Sequence, residues 1–343
     1  MNTWRAGIAL VGLTAVLAAC KPPPVTDHRF PAFGTIVRIE IVLAEPGSAA
    51  AATRDIESRF RKAETDWYAF GTGELATVNS LLARGQAAPI SADLAPLIYR
   101  AIALHGLSGG LFDPAVCALV RLWQFDSAND LAAASGPPPQ AARQALLASQ
   151  GTLANLRFDG RTASASRPLC IDLGGMAKGT ALEQARAALA QHGIRNALID
   201  IGGSSQLAIG QKGASPWVIG LKDPRADRVI ARLTLRPGEA ASTSGDYERG
   251  FTSDGRRYHH ILDPGTGEPT TGSASVTALA MDGELADAAT TALMVAGPTR
   301  FRGVSAALGI VDALLITTSG ELLTTPGMAA RLRRDNNGRL PDL

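Results

Sequence analysis

Asp172-Leu-Gly-Gly-Met-Ala-Lys-Gly179 is the stretch of this chain whose residue types speak most directly of chemistry. The apolar residues at its start read as a strand, and Lys178 to His192 have helical composition, so the glycines stand where a strand hands over to a helix beginning near Lys178. Glycines there let backbone approach a ligand closely. A helix N-terminus presents free N–H groups and the positive end of its dipole, and Lys178 adds a full charge, so a phosphate is the natural guest. The glycine spacing fits neither a P-loop nor a dinucleotide fingerprint, and a plain tight turn with a surface lysine accounts for the stretch equally well.

Asp287 and Thr291 lie four apart in Glu-Leu-Ala-Asp-Ala-Ala-Thr-Thr-Ala-Leu, which sets a carboxylate and a hydroxyl on one face of a helical turn. Two hard oxygens suit Mg2+, which keeps several waters and binds phosphate oxygens alongside one or two carboxylates. The other reading of Asp287 is an acid favoured by the dipole near a helix start. Ser242-Thr-Ser-Gly-Asp246 precedes Arg257-Tyr-His-His-Ile-Leu-Asp-Pro-Gly-Thr-Gly267. Adjacent histidines on a strand face opposite ways, so at most one of His259 and His260 enters a site. Titration near neutrality suits such a residue to acid or base work, while the plainer reading is a packing histidine. Ser108-Gly-Gly-Leu-Phe-Asp-Pro-Ala-Val116 either grips a planar ligand or starts a helix, with Asp113 as N-cap and Pro114 in the first turn. The sequence has no serine elbow, zinc-ligand spacing or iron–sulfur cysteine cluster.

Elements must carry these groups. Residues 35–43 are β-branched and loosely alternating, a strand; 49–66 and 91–107 read as helices, and 131–150 as a low-complexity surface excursion with one short helix. A strand, glycine turn, helix and strand occupy 169–201, followed by strands near 205–209, 216–221, 229–235 and 274–281. Helices at 284–296 and near 299–308 precede strands at 312–318 and 321–325. Helices and strands are interleaved, yet many strands are consecutive, which predicts a mixed α/β (α+β) fold of mixed β-sheets flanked by helices.

The N-terminus has Arg5 as its only charge before an apolar run from Ile8 to Leu17 that ends in Leu17-Ala18-Ala19-Cys20. At about 1.5 Å per residue that run is too short to cross about 30 Å of hydrocarbon as a helix. It reads as a lipoprotein signal peptide over 1–19, with lipid on Cys20 and a proline-rich linker over 20–30. A soluble domain over 31–335 would then sit on the periplasmic face of a bacterial membrane. Formal net charge is +2, with 33 basic and 31 acidic residues spread without a long basic block, which argues against a nucleic-acid partner. An oxidising periplasm could join Cys117 and Cys170, but with 46% hydrophobic residues the core needs no staple, which favours buried thiols.

Taken together and in order, Gly-Gly-Leu-Phe-Asp-Pro, Asp-Leu-Gly-Gly-Met-Ala-Lys-Gly, Thr-Ser-Gly-Asp-Tyr, His-His-Ile-Leu-Asp-Pro-x-Thr-Gly and Ala-Asp-Ala-Ala-Thr-Thr-Ala resemble the flavin transferase family called ApbE. The likeness runs from about Phe33 to the C-terminal strands. It implies a Mg2+-dependent enzyme that takes FAD, transfers FMN through a phosphoester to a threonine or serine of a membrane or periplasmic redox protein, and releases AMP. By position it implies metal ligation by Asp287, Thr291 and the backbone carbonyl of Ala177, with His260 as base for the acceptor hydroxyl. Lys178 and Asp246 join His260 in the expected catalytic group. Phe33, Asn79, Phe112, Asp113, Gly175, Gly245 and Asp246 are expected around the flavin nucleotide, with Lys178 and His260. One departure is Trp67-Tyr-Ala-Phe-Gly-Thr-Gly-Glu-Leu75, where the family's tyrosine slot holds Ala69, so stacking falls to Trp67, Tyr68 or Phe70. Phe33 likewise stands where relatives often carry Met.

Two other classes fit the same motifs: a hydrolase that splits FAD into FMN and AMP, and a lipoprotein that binds FAD without reacting it. The N-terminal reading has its own test. Cys20→Ser should shift the protein from the membrane pellet to the soluble fraction, and a variant that stays in the pellet refutes the lipid anchor.

Overall fold

The computed structural model describes residues 25–126 and 136–332. The expected signal peptide, Cys20, and part of the 131–150 excursion lie outside the described residues. In chain order the elements are β1 (Val25–Ala32), β2 (Thr35–Val42), α1 (Pro46–Asp66), α2 (Glu74–Ala83), β3 (Ala88–Pro89), α3 (Ala95–Leu107), α4 (Cys117–Leu122) and α5 (Gln140–Ser149). There follow β4 (Leu156–Phe158), β5 (Thr162–Ala165), α6 (Gly174–Gln191), β6 (Ala197–Ile201), β7 (Ser205–Ile209), β8 (Trp217–Lys222), β9 (Val229–Leu235) and β10 (Ala240–Gly245). The chain ends with β11 (Gly250–Ser253), β12 (Arg256–His259), β13 (Ser273–Ala280), α7 (Gly283–Ala307), β14 (Asp312–Thr317), β15 (Leu322–Thr324) and α8 (Pro326–Arg331).

The main sheet has eight strands in the order β1-β2-β6-β7-β10-β13-β14-β15. The α/β architecture is as expected, but the mixed pairing is not: among the described residues every strand pair is antiparallel. One face of this sheet buries Val37, Ile39 and Ile41 against Ile56 and Phe60 of α1 and against α6 and α7. The other buries Ala241, Leu279 and Leu314 against Trp217 and Leu233 of the β8–β9 ribbon and Met328 of α8. Each such large side chain contributes about 1.5–3 kcal/mol on burial, and covering both faces makes the sheet a rigid floor for α6 and α7.

Four further expectations are corrected. The 20–30 linker is already strand from Val25, because β1 pairs along its whole length with β2. The helix expected near Lys178 begins at Gly174: the Asp172 carboxylate accepts the Gly174 N–H at 2.8 Å and caps the turn, so both glycines are helical. Cys117 and Cys170 are joined as a disulfide with Cα atoms 5.2 Å apart, because the Asp172 N–H donates to the Pro114 carbonyl and draws the two segments side by side. The helices expected at 284–296 and 299–308 are one element, α7, kinked at Gly297 (φ +66°) before Pro298.

Helices α6 and α7 cross where neither has a side chain. A Cβ added at Gly179 would stand 2.3 Å from the Gly283 carbonyl oxygen and 2.9 Å from the Asp287 Cβ. Gly179→Ala is therefore expected to force the helices apart at a cost of about 1–3 kcal/mol in urea unfolding. Gly47→Ala, where the added methyl meets nothing within 4 Å, is the control expected to be neutral or slightly stabilising.

Candidate active site

The head of α6 and the first turns of α7 meet over β10. Asp287 is only 6% exposed, and its Oδ2 accepts the Gly179 N–H at 2.9 Å. Burial pushes its carboxyl up to about 6, against the opposing pull of Lys178 and the Gly179 N–H. Lys178 does not form an ion pair with it: its Nζ donates to Ser204 Oγ at 2.6 Å, in the turn between β6 and β7. Among the described residues Asp287 has no ion-pair partner at all.

Thr291, one turn further along α7, is half-buried and opens onto the bare Cα of Gly175. A methyl added at Gly175 would lie 3.2 Å from Thr291 Oγ1 and 3.1 Å from Phe112 Cε2. Phe112, Gly175, Thr291, Asp287 and Lys178 therefore share one locality, as the motif spacing predicted for the helical pair. The neighbouring hydroxyl, Thr290, is turned the other way: it donates to the Asp287 carbonyl at 2.7 Å and bonds Ser244 Oγ at 2.8 Å, locking α7 onto β10. Ala177, expected as a backbone ligand from a loop, lies inside the first turns of α6. A cation fits the remaining donors. Asp287 is a buried acid lacking a cationic partner, Thr291 supplies a second hard oxygen, and Ser242 Oγ beside them is buried with no hydrogen-bond partner.

The two histidines divide, though not by strand alternation: His259 is the last residue of β12 and His260 lies just beyond it. His259 is 5% exposed, its Nε2 donates to the Thr270 carbonyl at 2.9 Å and its Nδ1 accepts the Ile261 N–H, so it is the packing residue. His260 faces the site. A carbonyl can only accept, so the 3.2 Å contact between His260 Nδ1 and the Arg249 carbonyl places the ring proton on Nδ1 and leaves Nε2 as a free acceptor. Burial, then the nearby Arg249 guanidinium, lower its pKa to about 3, which holds the ring neutral.

Other expected residues stand behind the site rather than in it. Asn79 is buried and spends both ends of its amide on the backbone of Ile171, at 2.7 Å each. Asp113 caps the turn at Pro114–Val116, accepting from Ala115 N at 2.8 Å and Leu153 N at 3.2 Å, the N-cap reading of its motif. Both support the Phe112 wall and the segment leading to Gly174, which was expected as a strand but pairs with no sheet among the described residues. Asp246, expected as a catalytic group, has both oxygens committed to Arg225 at 2.6 and 2.7 Å and anchors the rim instead. Gly245 lies under the Tyr247 ring, and Phe33 (φ +54°) packs on Phe60 of α1, in a turn beside Gly202. Of the aromatic candidates, Trp67 is in the core; Tyr68 is exposed, with Phe70 edge-on at 5.6 Å.

Comparison with known proteins decides the family. Residues 33–315 match the model of the ApbE family. This chain is an ApbE family member. It is similar to a FAD:protein FMN transferase of Rhodobacter capsulatus, 38% identical over 339 residues, covering 97% of this chain and 63% of that protein. It is also similar to one of Vibrio cholerae, 31% identical over 325 residues, covering 93% and 95%. The chain thus spans under two thirds of the first of these relatives. Among solved structures, an ApbE protein of Thermotoga maritima superposes with TM-score 0.82 at 31% identity, covering 91% of this chain and all of that one. Flavin transferase ApbE of Vibrio cholerae gives 0.79 at 28%, with the same coverage.

This ApbE chain has site residues that the motifs did not reveal. Ser204 holds Lys178, Arg249 holds His260 through its carbonyl and donates from Nη1 to the Phe125 carbonyl at 3.0 Å, and Tyr68 donates to the Asp126 carbonyl at 2.6 Å. A glycine-rich turn after a strand was a signal for Ser204, and Tyr68 was named only as a stacking candidate; Arg249 comes from a distant segment and had no signal.

The lowered His260 pKa has a consequence for stability. The unfolded state takes up a proton as pH falls through about 6.5 while the folded ring does not, so the stabilisation is full above that pH and is lost progressively below it. Buried acids with raised pKa values act in the opposite direction, so the comparison is between variants. Between pH 7.5 and pH 5, His260→Gln should lose less stability in urea unfolding than the parent; equal losses would show that the ring is not held neutral.

Proposed function

We propose that this protein is a Mg2+-dependent FAD:protein FMN transferase. The observation that carries the reading is Asp287: a buried carboxylate without an ion-pair partner, one helical turn from Thr291, against the N-terminal turns of a helix bearing Lys178. A structural acid at that depth would have a cationic neighbour, as Glu239 and Asp312 have Arg331.

Asp287 and Thr291 would hold a divalent cation, which when bound supplies charge neutralisation at the diphosphate of FAD. The first N–H groups of α6 and the Lys178 ammonium meet non-bridging oxygens, Ser204 holding the Lys178 side chain in place. Phe112 and the Tyr68–Phe70 pair offer apolar walls for the ring systems. His260 Nε2 accepts the proton of the acceptor's serine or threonine hydroxyl as its oxygen bonds to the FMN phosphorus. The bond from that phosphorus to the oxygen of the AMP phosphate breaks, and AMP leaves. The Arg249 carbonyl keeps the tautomer that makes Nε2 the acceptor.

We place the enzyme on the periplasmic face of a membrane, acting on a redox protein there. The signal-like N-terminus motivates this, and the Cys117–Cys170 disulfide suits an oxidising compartment.

Mature protein incubated with FAD, Mg2+ and a candidate acceptor domain should yield an acceptor that fluoresces in the gel and an equivalent of AMP. AMP without a fluorescent acceptor would instead identify hydrolysis, and neither product would identify storage. Asp287→Ala should abolish Mg2+-dependent turnover. His260→Ala should slow transfer by about 100-fold or more while leaving FAD affinity within a few-fold; equal losses in both would remove it from the role of base.

A further inference from the structure

Strand β10 presents Ala240, Ser242 and Ser244 to α6 and α7, and Ala241 and Thr243 to the opposite face. Ser244 meets Thr290 at 2.8 Å. Two residues back along β10 is Ser242, and one turn back along α7 is Asp287, so the strand and the helix step in the same direction. In the β7–β10 register Ser205 stands directly opposite Ser242 and shares its face. Both serines are fully buried, and neither hydroxyl has a hydrogen-bond partner among the described residues.

A buried hydroxyl left unpaired costs about 1–3 kcal/mol. Nothing in the packing requires it. The rest of this face is filled by Ala240, Ala278, Ala286 and Ala289, to which serine adds one oxygen and no useful apolar area. The polar group close at hand is the Asp287 carboxylate, which receives only the Gly179 N–H on Oδ2 as a formal hydrogen bond.

We propose that Ser242, backed by Ser205, is a positioning residue for Asp287: its hydroxyl turns to donate to the carboxylate and fixes the rotamer in which the acid presents its remaining lone pairs toward Thr291 and a divalent cation. Ser205 in turn gives the Ser242 oxygen a donor. The inference rests on the cation reading above and adds the shell behind the acid. Groups in that position tune a ligand's orientation and typically move metal affinity by about 10–100-fold.

The test is isothermal titration of the folded, metal-free full-length protein with MgCl2 alone, without FAD, paired with thermal unfolding in EDTA. Ser242→Ala should weaken Mg2+ binding about tenfold or more and leave the melting temperature in EDTA unchanged or raised, since an unpaired buried hydroxyl is removed. Ser205→Ala should weaken Mg2+ binding less, and the double variant no more than Ser242→Ala alone. Normal Mg2+ affinity in Ser242→Ala, or a lower melting temperature in EDTA with affinity intact, overturns the positioning role. Asp287→Ala separates the two levels. If it loses Mg2+ while Ser242→Ala keeps it, only this inference fails; if Asp287→Ala binds Mg2+ as the parent does, or the parent takes up none, the cation reading falls with it.

Discussion

Two glycines decide how close α6 and α7 come, and the closeness decides the chemistry. Gly179 and Gly283 face each other with no room for a Cβ on either, so the Gly179 amide reaches Asp287 across the crossing at 2.9 Å. A carboxylate that deep would ordinarily be neutralised or paired. Here one backbone N–H and the field of Lys178 offset part of the desolvation, and the pKa still stands near 6. The helix crossing thus creates an acid that is buried, oriented and under-compensated. That is the state in which an added cation gains most, because the cost of dehydrating the acid has already been met by folding.

Around that crossing the chain is fixed on one side and open on the other. The fixed side is cross-tied by the Cys117–Cys170 disulfide, by Asn79 on the Ile171 backbone and by Asp113 capping the turn after Phe112. These residues stand in motifs beside the site, but their hydrogen bonds are structural: they hold the segment that ends at Asp172 against the segment that ends at Phe112. The open side carries the exposed Tyr68, Arg249 and Arg225, the last paired with the buried Asp246, with their hydrogen bonds made to other rim segments. A rigid wall with a polar rim suits a small ligand bound against the wall and a larger partner arriving at the rim.

What the sequence made legible was what depends on short range. The four-residue spacing put Asp287 and Thr291 on one helical turn, and Asp113 before Pro114 was readable as a cap. Strand positions such as 205–209 and 229–235 followed from β-branched and apolar runs. What it hid is tertiary. The antiparallel order of the sheet brings β2 beside β6 across more than 150 intervening residues, for which no local pattern exists. The glycines at 174 and 175 signalled a loop by propensity, but the Asp172 cap made them helix. Composition said that a core of this size needs no disulfide; the bond joins two segments that a hydrogen bond from the Asp172 N–H to the Pro114 carbonyl holds side by side. Ser242 stood in the sequence only at the start of a motif that precedes the histidines, and only the sheet register shows it buried opposite Ser205.

His260 shows how the elements act together. Its tautomer is set by one backbone carbonyl, so the acceptor nitrogen is defined before any ligand arrives. Its basicity is suppressed first by burial and then by Arg249 and Lys178, two cations that the free site gathers with few anions to balance them. A base held near 3 is weak, and proton transfer is most efficient when the acceptor's pKa approaches the operating pH. An anionic diphosphate laid against those same cations reverses the sign of their influence on the ring. Under the proposed function, the cations that would meet the phosphates and the ring that would take the proton form one electrostatic unit: the ring is a poor base toward water in the free site, and would become a better one with the negative charge of the diphosphate beside it.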